Sequence, residues 1–199
     1  MRHGRTAWNV DKRFQGHTDV ALDEGGRAQA RALAAFLRGE RFDAAVTSDL
    51  SRARETAETI AAPHALAVES DARWREMQFG AWEGLTWPQI VARFPEIEAG
   101  KYGLPKFVTP RNGESFEQLC ARVGSALASL REGWGAGGRV LVVTHAGPLH
   151  ALLHVALGND EAQALAVRFT PAGITRLRVG DSGAALVSLN ETLPGSEVI

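Results

Sequence analysis

The stretch Arg139-Val140-Leu141-Val142-Val143-Thr144, followed at once by His145-Ala146-Gly147-Pro148, restricts the fold more than any other part of the chain. Its unbroken Leu141-Val142-Val143 run has the pattern of a strand buried on both faces, the setting of a central strand in a parallel sheet. Pro148 suits the first turn of a helix and not a central strand, so strand gives way to helix around His145. A second passage of this kind lies upstream. Phe42 to Thr47 contains Ala44-Ala45-Val46, a short buried strand, and Leu50, Ala53, Ala57 and Ile60 then recur at helical spacing. Strands alternating with helices predict an α/β fold, doubly wound, with a mainly parallel sheet and helices on both faces. Arg52 and His145 then sit where a strand's C-terminal end meets a helix N-terminus, the usual place for anion binding in open α/β sheets.

The remaining helices are scaffold. Asp23 can cap a helix that buries Ala30, Leu33, Ala34 and Leu37 and leaves Arg27, Arg31 and Arg38 to solvent. Ser115 and Gln118 form a capping box ahead of a long amphipathic helix carrying Leu119, Val123, Ala126, Leu127, Leu130 and Trp134, which Gly133 to Gly138 ends. Arg54 and Glu58, four apart, read as an exposed pair. In the tail, Thr175, Leu177 and Val179 alternate before Asp181-Ser182-Gly183 and Leu186 to Leu189, which predicts a hairpin closing on the sheet. From 84 to about 113 the composition changes. Trp87, Phe94, Tyr102 and Phe107 interleave with Pro88, Pro95, Pro105 and Pro110 and with Lys101, Lys106 and Arg111, which is expected of a helical lid.

At 199 residues with 45% hydrophobic content, one domain spanning 1–199 with a sizeable core is the expectation. Lys+Arg 22 against Asp+Glu 23 leaves a net charge of -1, so no basic field marks the chain for nucleic acid or an anionic membrane. The expected partner is a small molecule, with a homodimer left open as the assembly. One cysteine, Cys120, excludes an internal disulfide, and there is no eighteen-residue apolar run or signal peptide, so a cytoplasmic setting is expected.

The chemistry gathers in Met1-Arg2-His3-Gly4-Arg5-Thr6-Ala7-Trp8-Asn9. A neutral imidazole at His3 can attack phosphorus, Arg2 offers planar donors matched to phosphate oxygens, and Gly4 lets backbone approach an anion. His150 and His154 are four apart on a helix, yet no glutamate follows His150 in the zincin manner and no third ligand is evident. A metal site at these histidines is not expected, nor is a cofactor. His17 and His64 have no motif around them. Glu76, flanked by Met77, Phe79 and Trp82, is the carboxyl best placed for desolvation, with Glu83 and Glu114 as competitors.

These pieces occur in a recognisable order. Arg2-His3-Gly4 with Thr6 and Asn9, Gln15-Gly16, Ser48-Asp49-Leu50-Ser51-Arg52-Ala53, Arg75-Glu76-Met77-Gln78-Phe79-Gly80-Ala81-Trp82-Glu83-Gly84, Gly113-Glu114-Ser115 and Val143-Thr144-His145-Ala146-Gly147 together resemble the histidine phosphatase superfamily, phosphoglycerate mutase-like. The resemblance implies that His3 takes the phosphoryl group, that Arg2, Arg52, Asn9 and His145 hold it, and that Glu76 protonates the leaving oxygen and then activates water. Gly4, Gln15, Gly16 and Ala146 join Asn9 as the implied binding set. On its own residues Arg52 is balanced between surface and site, and the resemblance moves it to the site.

Two departures stand out. Arg5 occupies a position where members carry Glu or Gln, placing a cation either near the pocket mouth or in water. Only Met1 precedes Arg2, so the apolar strand on which the family places its nucleophile is missing, and Met1 is expected to be a non-native start. The expected activity is a metal-independent phosphatase acting on small phosphomonoesters through phosphohistidine. The alternatives are a phosphoglycerate mutase or a non-catalytic protein that binds a phosphate ligand.

Overall fold

In the computed structural model, residues 1–95, 97, 109–135, 137–180 and 183–193 are described. Helix α1 (Ala7–Val10) is a single turn, and α2 (Glu24–Leu37) leads into strand β1 (Ala44–Thr47). Helix α3 (Ser51–Ala61) returns the chain to β2 (Val68–Ser70), and α4 (Trp87–Arg93) and α5 (Phe116–Trp134) follow. Strand β3 (Val140–Val143) precedes α6 (Ala146–Leu157), α7 (Glu161–Ala166), β4 (Ile174–Gly180) and β5 (Gly183–Glu191).

Three strands form a parallel sheet in the order β2-β1-β3, with Ala45 opposite both Val68 and Leu141. Side chains alternate across it. Ala45 joins Leu33 and Leu37 of α2 and Ala53, Ala57 and Ile60 of α3 on one face, whereas Val46 joins Leu119 and Val123 of α5 and Leu149 and Leu152 of α6 on the other. Helices therefore cover both faces, and the C-terminal ends of β1 and β3 lie where the winding changes direction, the place where open α/β sheets bind ligands.

The caps follow local chemistry. Asp23 accepts from the Gly26 amide to start α2, and Ser115 and Gln118 make the reciprocal box that starts α5. Arg54 and Glu58 pair at 3.1 Å on the exposed side of α3. Trp134 differs from the expectation. It is 41% exposed, because it is the last residue of α5 and the positive φ of Gly135 turns the chain away there.

Among the described residues no strand precedes His3, as expected, but its backbone is bridged to the end of β3. Arg2 bridges Thr144 in parallel, with the His3 amide donating to Thr144 O at 2.9 Å and the Thr144 amide donating to Met1 O at 2.9 Å. The Met1 amino group donates to Val142 O at 2.7 Å. On the other side the Arg2 amide donates to Gly173 O at 3.1 Å and the Ala172 amide to His3 O at 3.0 Å. This backbone lies beyond β3, and Ala172 and Gly173, just ahead of β4, bond its other side. The hairpin expected to close on the sheet is instead a separate antiparallel pair, β4 with β5, tied back by Arg176 to Glu40. Its expected turn residues Asp181 and Ser182 lie outside the described residues.

Between 84 and 113, Trp87, Ile90 and Phe94 pack with Trp82, Phe14, Phe79 and Ile97 in a third apolar cluster. The described aromatics of the expected lid are thus partly core, while Lys101, Tyr102, Pro105, Lys106 and Phe107 lie outside the described residues. Among the described residues no helix is long and apolar enough to cross a membrane.

Candidate active site

His3 is 1% exposed, and its Nδ1 lies 2.6 Å from Gly4 O. A carbonyl can only accept, so the ring proton resides on Nδ1 and Nε2 keeps its lone pair. Burial first, then the charges of Arg52 and Arg2, hold the His3 pKa well below the ordinary 6.5 against the opposing pull of the Gly4 carbonyl. The imidazole is therefore neutral and nucleophilic at neutral pH. Gly4 is required for a different reason from the one expected. A Cβ there would come 2.6 Å from Gly26 O in the first turn of α2, and the Gly4 amide is already donated to Thr56 Oγ1 at 3.1 Å. The glycine lets the loop press against helix backbone and aim its carbonyl at His3, and its amide has no donor left for an anion.

His145 caps the N-terminus of α6, fully buried, with its ring centroid 5.0 Å from that of His3. Its Nδ1 accepts from Arg52 Nε at 3.2 Å, which places its own proton on Nε2, 2.7 Å from Ser48 Oγ. Both nitrogens are engaged, so in this geometry His145 orients Arg52 beside His3 and offers no spare donor to a ligand. The guanidinium of Arg52 is held further by Thr18 O at 2.9 Å and Gly16 O at 2.8 Å. Burial lowers its pKa to about 10, which still leaves it cationic at neutral pH. The 16–18 loop is built on Glu83, whose carboxylate accepts from the amides of His17 and Thr18, from Thr18 Oγ1 and from the Phe79 amide. Gly16, at φ +55, is buried, and a side chain there would strike the Glu83 carboxylate. Gly16 therefore positions Arg52 through its carbonyl.

A cavity of about 600 Å³ opens over this floor. Arg2, Asn9, Gln15, Glu76 and Ala146 line it, whereas His3, Gly4, Gly16, Arg52 and His145 are buried and are not among its lining residues. Arg2 donates from Nη1 to Phe169 O at 2.5 Å, but among the described residues its buried Nε has no partner, nor has the buried Gln15 Oε1. An unsatisfied buried donor costs on the order of 1–3 kcal/mol, which an anion in the cavity would relieve. Asn9 spends its Oδ1 on the amide and hydroxyl of Thr6, leaving its NH2 group as a donor. Aromatic walls come from Trp8, Phe14, Phe79, Trp82 and Phe116.

Glu76 is 7% exposed and lines the same cavity. Its Oε1 accepts from the Met77 and Gly147 amides, each at 2.8 Å, and Gly147 lies in the first turn of α6, where amide dipoles favour negative charge. No hydrogen bond from the described residues is made to Oε2. The two competing glutamates are occupied, Glu83 as above and Glu114 by Arg122 and the Gln78 amide. Arg5 does not line the cavity, and its guanidinium pairs with Asp23, the cap of α2. His150 and His154 each bond a backbone carbonyl, Val167 O and Asn159 O respectively.

Two supporting residues escaped sequence reasoning. Arg122 of α5 and His17 both reach the Glu76 carbonyl, at 2.8 and 2.9 Å. Arg122 follows Leu119 by one turn and adjoins Val123, and no side-chain pattern around it marks it for the site.

The profile of the histidine phosphatase superfamily (branch 1) matches residues 1–192. The chain belongs to the histidine phosphatase superfamily. It is 34% identical to a bifunctional protein of Mycobacterium tuberculosis over 194 residues, which is 96% of this chain and 53% of that one. The chain thus spans about half the length of that relative. Among solved structures, Mycobacterial hydrolase 1 matches with a TM-score of 0.88 at 33% identity, covering 96% of each chain. A mycobacterial glucosyl-3-phosphoglycerate phosphatase in complex with VO3 matches with a TM-score of 0.82 at 34% identity, covering 96% of this chain and 97% of that one.

Proposed function

We propose that this histidine phosphatase hydrolyses small phosphomonoesters through a phosphohistidine on His3, without a metal. The observation that carries the reading is the buried His3 ring, its Nδ1 2.6 Å from Gly4 O, with burial and the charges of Arg52 and Arg2 favouring its neutral form. Nε2 attacks phosphorus in line, the P–O ester bond breaks, and Glu76 in its acid form gives its proton to the leaving oxygen. Water then gives a proton to the Glu76 carboxylate and attacks phosphorus, the N–P bond breaks, and the lone pair returns to Nε2 as phosphate departs. Charge on the equatorial oxygens, which magnesium supplies in many phosphoryl-transfer sites, is met here by Arg2 and Arg52, with His145 holding Arg52 in place.

The aromatic walls favour esters with an apolar or aromatic body over compact polar ones. One buried cysteine, Cys120, and the absence of a disulfide among the described residues fit a cytoplasmic setting. The test is phosphate release from 4-nitrophenyl phosphate in excess EDTA, expected to match the rate without chelator. A loss in EDTA that a divalent cation restores would contradict the metal-independent reading. In a parallel assay with 3-phosphoglycerate and catalytic 2,3-bisphosphoglycerate, isomerisation far outpacing phosphate release would replace the phosphatase by a mutase.

A further inference from the structure

Arg75 to Phe79, the stretch that carries Glu76, is neither helix nor strand, so its carbonyls must find partners outside a regular ladder. Just ahead of it, Thr144 Oγ1 donates to Trp74 O at 2.6 Å. Further along, Gln78 O and Phe79 O accept from the Glu114 and Trp82 amides, and His17 Nε2 reaches Glu76 O, but three carbonyls around Glu76 converge on one side chain. Arg122 Nη1 donates to Arg73 O at 2.8 Å and to Arg75 O at 2.7 Å, and Nη2 donates to Glu76 O at 2.8 Å. The remaining donors go to Glu114, Nε to Oε1 at 3.0 Å and Nη2 to Oε2 at 2.7 Å. A guanidinium has five N–H donors, and all are spent, three on the backbone around Glu76 and two on an anchor. Glu114 also accepts from the Gln78 amide at 2.8 Å, so the same pair grips the stretch on both sides of Glu76.

We propose that Arg122 is a positioning residue for the general acid, fixing the Glu76 backbone so that the carboxyl stays aligned with the leaving oxygen. The proposal rests on the reading of Glu76 as proton donor. The fork, and not the charge, performs this task. A lysine keeps the charge and can still face Glu114, but three donors on one nitrogen cannot reach three carbonyls and a bidentate carboxylate together. Displacement of a catalytic group by about 1 Å costs on the order of 10²-fold in rate, and that cost falls where proton donation limits the reaction.

The experiment compares kcat/KM on an alkyl phosphate, which needs a strong acid, with kcat/KM on 4-nitrophenyl phosphate, which does not. Arg122→Lys is expected to lower the alkyl-to-aryl ratio by about tenfold or more, in the direction of Glu76→Gln, and to add little when combined with Glu76→Gln. A purely structural loss would lower both substrates alike and leave the ratio where it was. An unchanged ratio in Arg122→Lys, in a protein where Glu76→Gln collapses it, would overturn the positioning role alone. An unchanged ratio in Glu76→Gln as well would overturn the assignment of the acid beneath it. Should Arg122→Lys not fold, Glu114→Gln, which weakens the anchor, carries the test on the same criterion: the ratio falls, or the proposal is wrong.

Discussion

His3→Ala should lose turnover by about 10⁴-fold or more on every phosphate ester, including those with good leaving groups, because the route through a phosphoenzyme disappears for all of them. Loss of fold is not the expected cause, since the surrounding backbone is pinned by Thr144, Ala172 and Gly173 independently of the ring. The pH dependence of the parent enzyme carries a matching signature. With the pKa of His3 held well below 6.5, the neutral nucleophile persists as pH falls through 6.5. After correction for the second ionisation of the substrate phosphate near 6, kcat/KM should therefore show no loss at the ordinary histidine value. Stability moves the other way. The unfolded histidines at positions 3 and 145 take up protons below about 6.5 that the native rings refuse, so their contribution is present above that pH and is lost as pH falls towards the depressed native values. A kcat/KM profile of the parent enzyme that keeps an acid limb at 6.5 after the substrate correction would contradict the neutral-ring account.

The second large effect belongs to Glu76. Glu76→Gln keeps a carbonyl oxygen for the Met77 and Gly147 amides, so the stretch should remain in place, but the proton is gone. An alkoxide is a poor leaving group without a donor, whereas a nitrophenolate leaves unaided. We expect a loss of about 10³-fold on alkyl phosphates and of less than about tenfold in the first step on aryl phosphates. Burst kinetics on the aryl substrate should then show a fast first turnover and a slow second phase, because the same carboxylate activates the water that clears the intermediate. Equal losses on both substrates, with no burst, would remove Glu76 from the acid role and leave the carboxylate at the α6 N-terminus as a structural cap.

Much of this architecture was legible in the sequence because it is local. Asp23 and Ser115 announce helices through side chains that reach three residues ahead, and the Leu141-Val142-Val143 run announces a strand through its own apolarity. Likewise Arg52 and His145 could be placed at strand ends before the strands were paired. What stayed hidden depends on contacts between distant segments. No local pattern shows that Met1 to His3 runs beside β3, because its partners are Val142, Thr144, Ala172 and Gly173. The tail hairpin reads the same whether it joins the main sheet or pairs with itself, and β4 and β5 pair in a sheet of their own. Gly4 looked like an opening for an anion because glycine always permits close approach, but the neighbour that approaches is Gly26. Arg122 and His17 were obscured for a similar reason. Each acts through backbone groups of another segment, and backbone partners leave no trace in side-chain patterns.

The central claim is the covalent bond between phosphorus and His3 Nε2, and rapid quench with labelled phosphate ester tests it most directly. The account predicts a label on the protein that is labile in acid and stable in base, that maps to the peptide containing His3, and that is absent from His3→Ala. A label of the same stability that survives in His3→Ala, or full turnover with no phosphoenzyme at any time point, would contradict it.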